Sequence, residues 1–140
     1  MSLIFYYQLT LPSTSINILP QGKDIIQTAS GNIYADAELT QKIGSFGFNV
    51  TILGALNQND NNSFEVIGTN VYFLPQGTLS NSINTIFEKG DDGVFVVPSN
   101  KQNIYQILSG SGDFLNERGF IVQNTKPLGF REMLVYFEKL

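Results

Sequence analysis

The chain contains no cysteine and no histidine among its 140 residues. Without cysteine there can be no disulfide, no thiolate metal site and no cysteine nucleophile. Without histidine the usual general base near neutral pH is gone, and with it the Ser-His-Asp constellation and most zinc sites. Any chemistry would fall to carboxylates, Tyr, Lys or Arg, and nothing in the pattern implies a metal or a cofactor. Charge is also sparse, with 14% of residues ionisable as Asp, Glu, Lys or Arg and a formal net charge of −4. The basic residues run from Lys23 to Lys139 and never cluster, whereas phosphate recognition needs a dense basic face, so no nucleic-acid partner is expected. No apolar run approaches the roughly 18 residues of a membrane span. Met1 to Thr10 lacks a basic region ahead of Leu3-Ile4-Phe5, so no secretory signal is read there and a soluble, intracellular protein is expected. The triplets Asn49-Val50-Thr51 and Asn61-Asn62-Ser63 have the form of glycosylation acceptors, but a chain this rich in Asn produces them by chance.

What the chain has is β-forming material. Hydrophobic residues make up 42%, with Phe 11 and Tyr 6 spread from end to end, enough to give a single domain over 1–140 a core of its own. Pro12, Pro20, Pro75, Pro98 and Pro127 mostly fall at punctuation points, and no segment has a helical period. Strands are expected at Ser2–Thr10, Asn32–Thr40, Ser45–Leu53, Ser63–Phe73, Thr78–Phe87, Val94–Val97, Ile104–Leu108, Phe114–Gln123 and Leu128–Glu138. Leu11 to Ser30 is less defined, with one short strand around Ile16–Leu19 and then a covering loop. Alternation is clear in two of these. Ile33, Ala35, Ala37 and Leu39 fall opposite Tyr34, Asp36, Glu38 and Thr40; Phe46, Phe48, Val50 and Ile52 fall opposite Ser45, Gly47, Asn49 and Thr51. In the last strand Met133, Val135 and Phe137 face away from Leu134 and Tyr136, so both faces are apolar and both are expected to be covered. Lys42-Ile43-Gly44, Leu74-Pro75-Gln76-Gly77 and Lys89-Gly90-Asp91-Asp92-Gly93 read as turns, and Leu56–Asn62 as a longer polar loop. Short strands so spaced make an all-β barrel or sandwich.

The most specific segment is Ile104–Gly119, a strand running into Gly110-Ser111-Gly112, then Asp113, Phe114 and Arg118-Gly119, with Phe120-Ile121-Val122 continuing as the next strand. It lacks the Lys and the following helix of a phosphate-binding loop, so its glycines read as a turn. Arg118 is expected to pair with Asp113 or Glu117 beside it. This hairpin resembles the signature hairpin of dirigent proteins and allene oxide cyclases, small calycin-like β-barrels. Gly31–Tyr34 with Gly44–Val50, Leu74–Leu79 and the terminal Tyr136-Phe137-Glu138 are similar to other parts of the same pattern, so the resemblance touches about 100 residues. It implies an antiparallel up-and-down barrel of about eight strands and a homo-oligomer, with a trimer as the guess. It also implies a catalytic acid and arginine just upstream of the hairpin. The matching stretch here, Val94–Asn103, holds neither, and no catalytic residue is assigned.

A barrel of about eight strands is wide enough to be filled by side chains or to hold one small ligand. Tyr34, Asp36, Glu38, Asn49, Tyr72 and Arg131 are the candidates for its lumen. Arg131 and Glu132 fall on opposite faces of the last strand, so only one of them can point inward. Asp36 and Glu38, two apart on one strand, could share a proton, although the polar set of an antiparallel strand usually faces water. Three functions follow: a non-catalytic structural or assembly protein acting through its surface, a barrel binding a small apolar ligand among Phe46, Phe48, Tyr72 and Phe120, or a dirigent-like guide of ring closure working by confinement. The first takes precedence, and a fully plugged lumen would leave it alone. With 14 Asn the composition fits an AT-rich genome; a large DNA virus is one such source, and from it a virion component would follow.

Overall fold

The structure, a computed structural model, describes residues 2–9, 14–18, 23–56, 62–90 and 93–138. Asp91, Asp92 and residues 57–61 of the polar loop lie outside the described residues. The strands are β1 (Ser2–Gln8), β2 (Thr14–Ile18), β3 (Ile25–Tyr34), β4 (Lys42–Ile52), β5 (Phe64–Leu74), β6 (Gly77–Lys89), β7 (Phe95–Val96), β8 (Gln102–Gly110), β9 (Gly119–Thr125) and β10 (Phe130–Phe137). Helix is confined, among the described residues, to two single 3₁₀ turns at Gly112–Phe114 and Pro127–Gly129. The strands pair in the order β1-β10-β9-β8-β6-β5-β4-β3, and β1 meets β3 again through Tyr6 and Tyr34, so eight strands close into an antiparallel barrel. β2 extends the wall beside the first half of β3, and β7 lies against the end of β6.

Strand alternation decides what lies inside. On β4, Phe46, Val50 and Ile52 are buried and Phe48 partly so, while Ser45 and Asn49 face water. On β10, Arg131, Met133 and Val135 are buried and Tyr136 is exposed. The interior forms two apolar clusters. One holds Phe5, Tyr7, Phe46, Tyr72, Phe114 and Met133, with the Phe5 and Tyr72 rings 5.1 Å apart. The other holds Val50, Phe64, Ile83, Phe87, Phe95 and Tyr105, with Phe64 and Phe95 edge to face at 5.1 Å. Phe48 packs against both.

Two expected strands fall differently. The strand set at Asn32–Thr40 ends at Tyr34 and begins instead at Ile25, inside the segment expected to be a covering loop. What stops it is Asp36, whose carboxylate accepts from the Thr40 amide at 3.1 Å, the Gln41 amide at 2.8 Å and the Thr40 hydroxyl. A side chain that closes a turn locally wins over alternation. The strand set at Phe114–Gln123 begins only at Gly119, because Gly112–Phe114 curls into a 3₁₀ turn that drives Phe114 into the core.

That turn docks on another. The Ser111 amide donates to Thr78 O at 3.0 Å and the Asp113 amide to Gln76 O at 2.9 Å, so the Gly-Ser-Gly bend lies back to back with the Pro75-Gln76-Gly77 turn. A Cβ on Gly77, where φ is +149°, would stand 2.1 Å from Ser111 O. Glycine is required by the approach of two backbones as well as by the dihedral. Arg118 makes no ion pair with Asp113 or Glu117, contrary to expectation; all three lie at the solvent edge of the turn, where pairing gains little.

Gly77→Ala should therefore cost roughly 3 kcal/mol in urea unfolding, as strain and clash add. Gly93→Ala is the control: φ there is +83° but nothing lies within 4 Å of the added methyl, so about 1 kcal/mol is expected. Equal losses at the two positions would show that the turn-to-turn contact contributes nothing.

Candidate functional site

Polar residues occur in the buried set at Gln27, Asn70, Ser80, Asn81, Gln123, Thr125 and Arg131. All but Ser80 sit on the inward phase of a strand whose other inward residues are mostly apolar; Ser80, at the irregularity of β6, pairs its hydroxyl with that of Ser109 at 2.7 Å. Two of them reinforce the structure directly. The Gln27 amide donates to Phe95 O at 2.7 Å and accepts from the Phe95 amide at 2.9 Å, copying a strand pairing and strapping Phe95 across one end of the barrel. The Tyr72 hydroxyl donates to Asn81 Oδ1 at 2.8 Å.

Asn70, Gln123, Thr125 and Arg131 gather between the two apolar clusters. Tyr7 on β1 and Thr125 on β9 flank Arg131 of β10 as its cross-strand partners. Tyr7, Asn70, Tyr105, Gln123 and Arg131 together line a cavity of about 30 Å³, closed on its other sides by Leu9, Phe48, Ile83, Phe87 and the strap Phe95-Val96-Val97. A space of this size holds roughly two waters. A larger groove of about 600 Å³ lies outside the wall, between β8 and residues 115–119; none of the buried polar side chains reaches it.

Arg131 sets the character of this waist. It is 4% exposed, and its one hydrogen bond runs from Nη1 to Phe130 O at 3.4 Å. No carboxylate faces it among the described residues, and it is the one charged side chain in the buried set. A guanidinium carries five N–H donors and stays protonated in proteins, so most of its donors are left to the cavity. Burial depresses its pKa, while the neighbouring Tyr7 and Tyr105 push it the other way. The phenols shift upward: burial raises Tyr7 against the pull of Arg131, and burial with the neighbouring phenols raises Tyr72 and Tyr105. Tyr7 makes a long contact with Gln123 Oε1 at 3.5 Å. Asn103 Nδ2 is a buried donor without a partner on the same inner wall, next to Gln123 in the strand register.

Of the residues picked from the sequence for the lumen, Tyr72 and Arg131 lie inside. Tyr34 is half-buried at the end of β3 on the side away from the buried Ile33, and Asn49 is exposed on the outer wall. Asp36 and Glu38 sit in the β3–β4 turn, where Asp36 is committed to Thr40 and Gln41 and its pKa is lowered by those bonds. They are not a carboxylate pair in the lumen. Gly110, Gly112, Asp113, Arg118 and Gly119 form the turn described above. Tyr7, Asn70, Tyr105 and Gln123 were not picked. The signal for the amides was present: a polar residue standing in phase with apolar ones, as Gln123 stands with Ile121 and Asn70 with Tyr72.

The buried phenols make stability depend on alkaline pH. Their folded-state pKa values lie above the unfolded value near 10, so the folded chain keeps protons that the unfolded chain releases, and stability is lost as pH rises past about 10. Each such Tyr contributes a slope of about −1.4 kcal/mol per pH unit there. Urea unfolding across that range should show a falling midpoint, and Tyr105→Phe should reduce the slope by one proton. A midpoint flat with pH would mean that the phenols ionise freely in the folded barrel.

No protein-family model matches this chain, and no curated protein matches it. Solved structures do. A pyocyanin demethylase superposes with a TM-score of 0.70 at 10% sequence identity, over 99% of this chain and 100% of the other. A pterocarpan synthase dirigent protein superposes with a TM-score of 0.58 at 14% identity, over 99% of this chain and 89% of the other. At such identities the likeness is one of fold, and the fold of this chain is that of the dirigent-like β-barrels.

Proposed function

We propose that this protein binds a small molecule at the polar waist of its barrel. The observation that carries this is a cavity between two packed apolar clusters on which Arg131, two phenols and two amides converge. Buried polar groups in a folded chain are normally spent on one another; here the strongest donor of the set has no acceptor but a neighbouring carbonyl. Few convergent polar groups in an otherwise apolar hollow are the usual make-up of a ligand site. The waist keeps a small free space of about 30 Å³, which supports a binding role beside the surface role. The two similar structures are named for proteins acting on pyocyanin and making pterocarpan, and they support the reading that this scaffold accommodates small ring compounds.

The test is a thermal-shift screen of one- and two-ring aromatic compounds. A compound present at a hundredfold over its Kd stabilises by about 2.7 kcal/mol. Binding should disappear in Ile83→Phe, which fills the waist, and persist in Ile104→Ser on the outer wall. Retention in Ile83→Phe, with cooperative unfolding preserved, would place the compounds elsewhere and overturn the proposal.

A second reading concerns the outer wall. Ile104, Val122, Leu134 and Ile4 form one cross-strand row over β8, β9, β10 and β1. Phe120 stacks on Tyr136 beside it at 5.0 Å, and Ile104 and Leu108 are more than 60% exposed. An aligned apolar row on an outer wall favours contact between copies of the chain. Light scattering should then give a closed oligomer that Ile104→Glu dissociates; a monomer at every concentration would remove this reading.

A further inference from the structure

We infer that the waist is built for a monoanion, specifically the carboxylate of a small aromatic acid. The inference rests on the reading of the waist as a ligand site and adds the charge and shape of what enters. A guanidinium withdrawn from water loses several kcal/mol of solvation, which an opposite charge restores. This chain places no carboxylate beside Arg131 among the described residues, so the ligand has to supply the negative charge. The interior holds one cation, Arg131, and no anion in its buried set, so a single negative charge balances it, while a dianion would leave one charge buried and unmatched. A planar guanidinium fork matches the two oxygens of a carboxylate in a bidentate contact.

The surrounding groups agree with this assignment. Tyr7 and Tyr105 keep their protons at neutral pH, since burial raises both, and a neutral phenol donates to an anion where a phenolate would repel it. The free space of about 30 Å³ beside Arg131 takes a carboxylate-sized head. Apart from the amides of Asn70 and Gln123, the rest of the lining is Leu9, Phe48, Ile83, Phe87, Phe95, Val96 and Val97, apolar and rich in rings, which suits a flat hydrocarbon body. The free space does not hold that body as it stands, so its entry requires the strap Phe95-Val96-Val97, which Gln27 holds through Phe95, to shift outward.

The test compares benzoate with benzamide, which share their shape and differ in charge, by calorimetry on the whole protein and on Arg131→Met. On the wild type, benzoate should bind at least about tenfold more tightly, equivalent to about 1.4 kcal/mol. In Arg131→Met the preference should vanish while weak benzamide binding persists. The apo form of Arg131→Met should also melt higher than the wild type, because an uncompensated buried charge has been exchanged for an apolar side chain of similar reach. A purely structural arginine would give the opposite sign, a lower melting temperature, and would overturn the inference. Equal binding of the two probes to the wild type would overturn it too while leaving the waist as a site for neutral molecules. Binding of neither probe, with a screen that also finds no aromatic ligand, would overturn both the inference and the function it rests on.

Discussion

Closure of the sheet is the constraint on which everything else depends. A barrel that returns through Tyr6 and Tyr34 has no free edge along its main wall, and the alternate residues of eight strands then share a lumen of fixed width. Large side chains fill it at two levels, around Tyr72 and Phe5 and around Phe64 and Phe95. Between them the register sets Tyr7, Arg131 and Thr125 side by side, with Gln123 one inward step away on β9. Every inward polar group is thus stranded away from bulk water and must find partners within the barrel or in something that enters it. Gln27 finds the Phe95 backbone and Tyr72 finds Asn81. Arg131 finds only a carbonyl at 3.4 Å.

That asymmetry has an energetic meaning. Stability is the small difference of large terms, a few to about 15 kcal/mol for a domain of ordinary size, so an unmatched buried cation takes an appreciable share of it. A chain selected for stability alone would place Met or Leu at position 131, in phase with Met133 and Val135. Keeping arginine there makes sense if the cost is recovered when the site is occupied. Local rules broken without compensation inside a fold mark functional positions more often than structural ones.

How far the sequence could be read follows from the same physics. β4 was legible because Phe46, Phe48, Val50 and Ile52 alternate with small and polar residues, and one wet wall with one buried wall is what that pattern means. The glycine bend was legible because Gly110-Ser111-Gly112 must pack against a second turn, and that close approach excludes side chains. β3 was misread at both ends. At its start, Gln27 interrupts the apolar phase of Ile25 and Ala29, although its amide behaves inside the barrel as a piece of backbone. At its end, Ala35, Ala37 and Leu39 continue the phase on paper, while Asp36 folds the chain locally into a turn with three acceptor contacts. The waist was only half visible. The two apolar faces of β10 concealed which of Arg131 and Glu132 turned inward, and the cross-strand row with Ile4, Val122 and Ile104 explains why the outer face is apolar as well. Tyr7 and Tyr105 gave no sign, since an inward tyrosine looks like any other aromatic core residue until its hydroxyl has a position.

The composition of the waist also bears on whether the proposed site would bind or transform a ligand. Acid-base catalysis near neutral pH needs a group that exchanges a proton there. The chain has no histidine, the described carboxylates lie in turns or on the outer wall, and burial moves the phenols of Tyr7 and Tyr105 further from neutrality. What remains is a fixed positive charge flanked by hydroxyl donors, which stabilises an anion whether that anion is a resting ligand or charge that develops during a reaction. In the second case the rate gain would have to come from holding a reactive molecule in one conformation, with the ring-lined wall supplying shape and Arg131 supplying charge. On the proposed reading, these residues supply a charge and a shape for a bound molecule, and any catalysis would draw on the reactivity of that molecule.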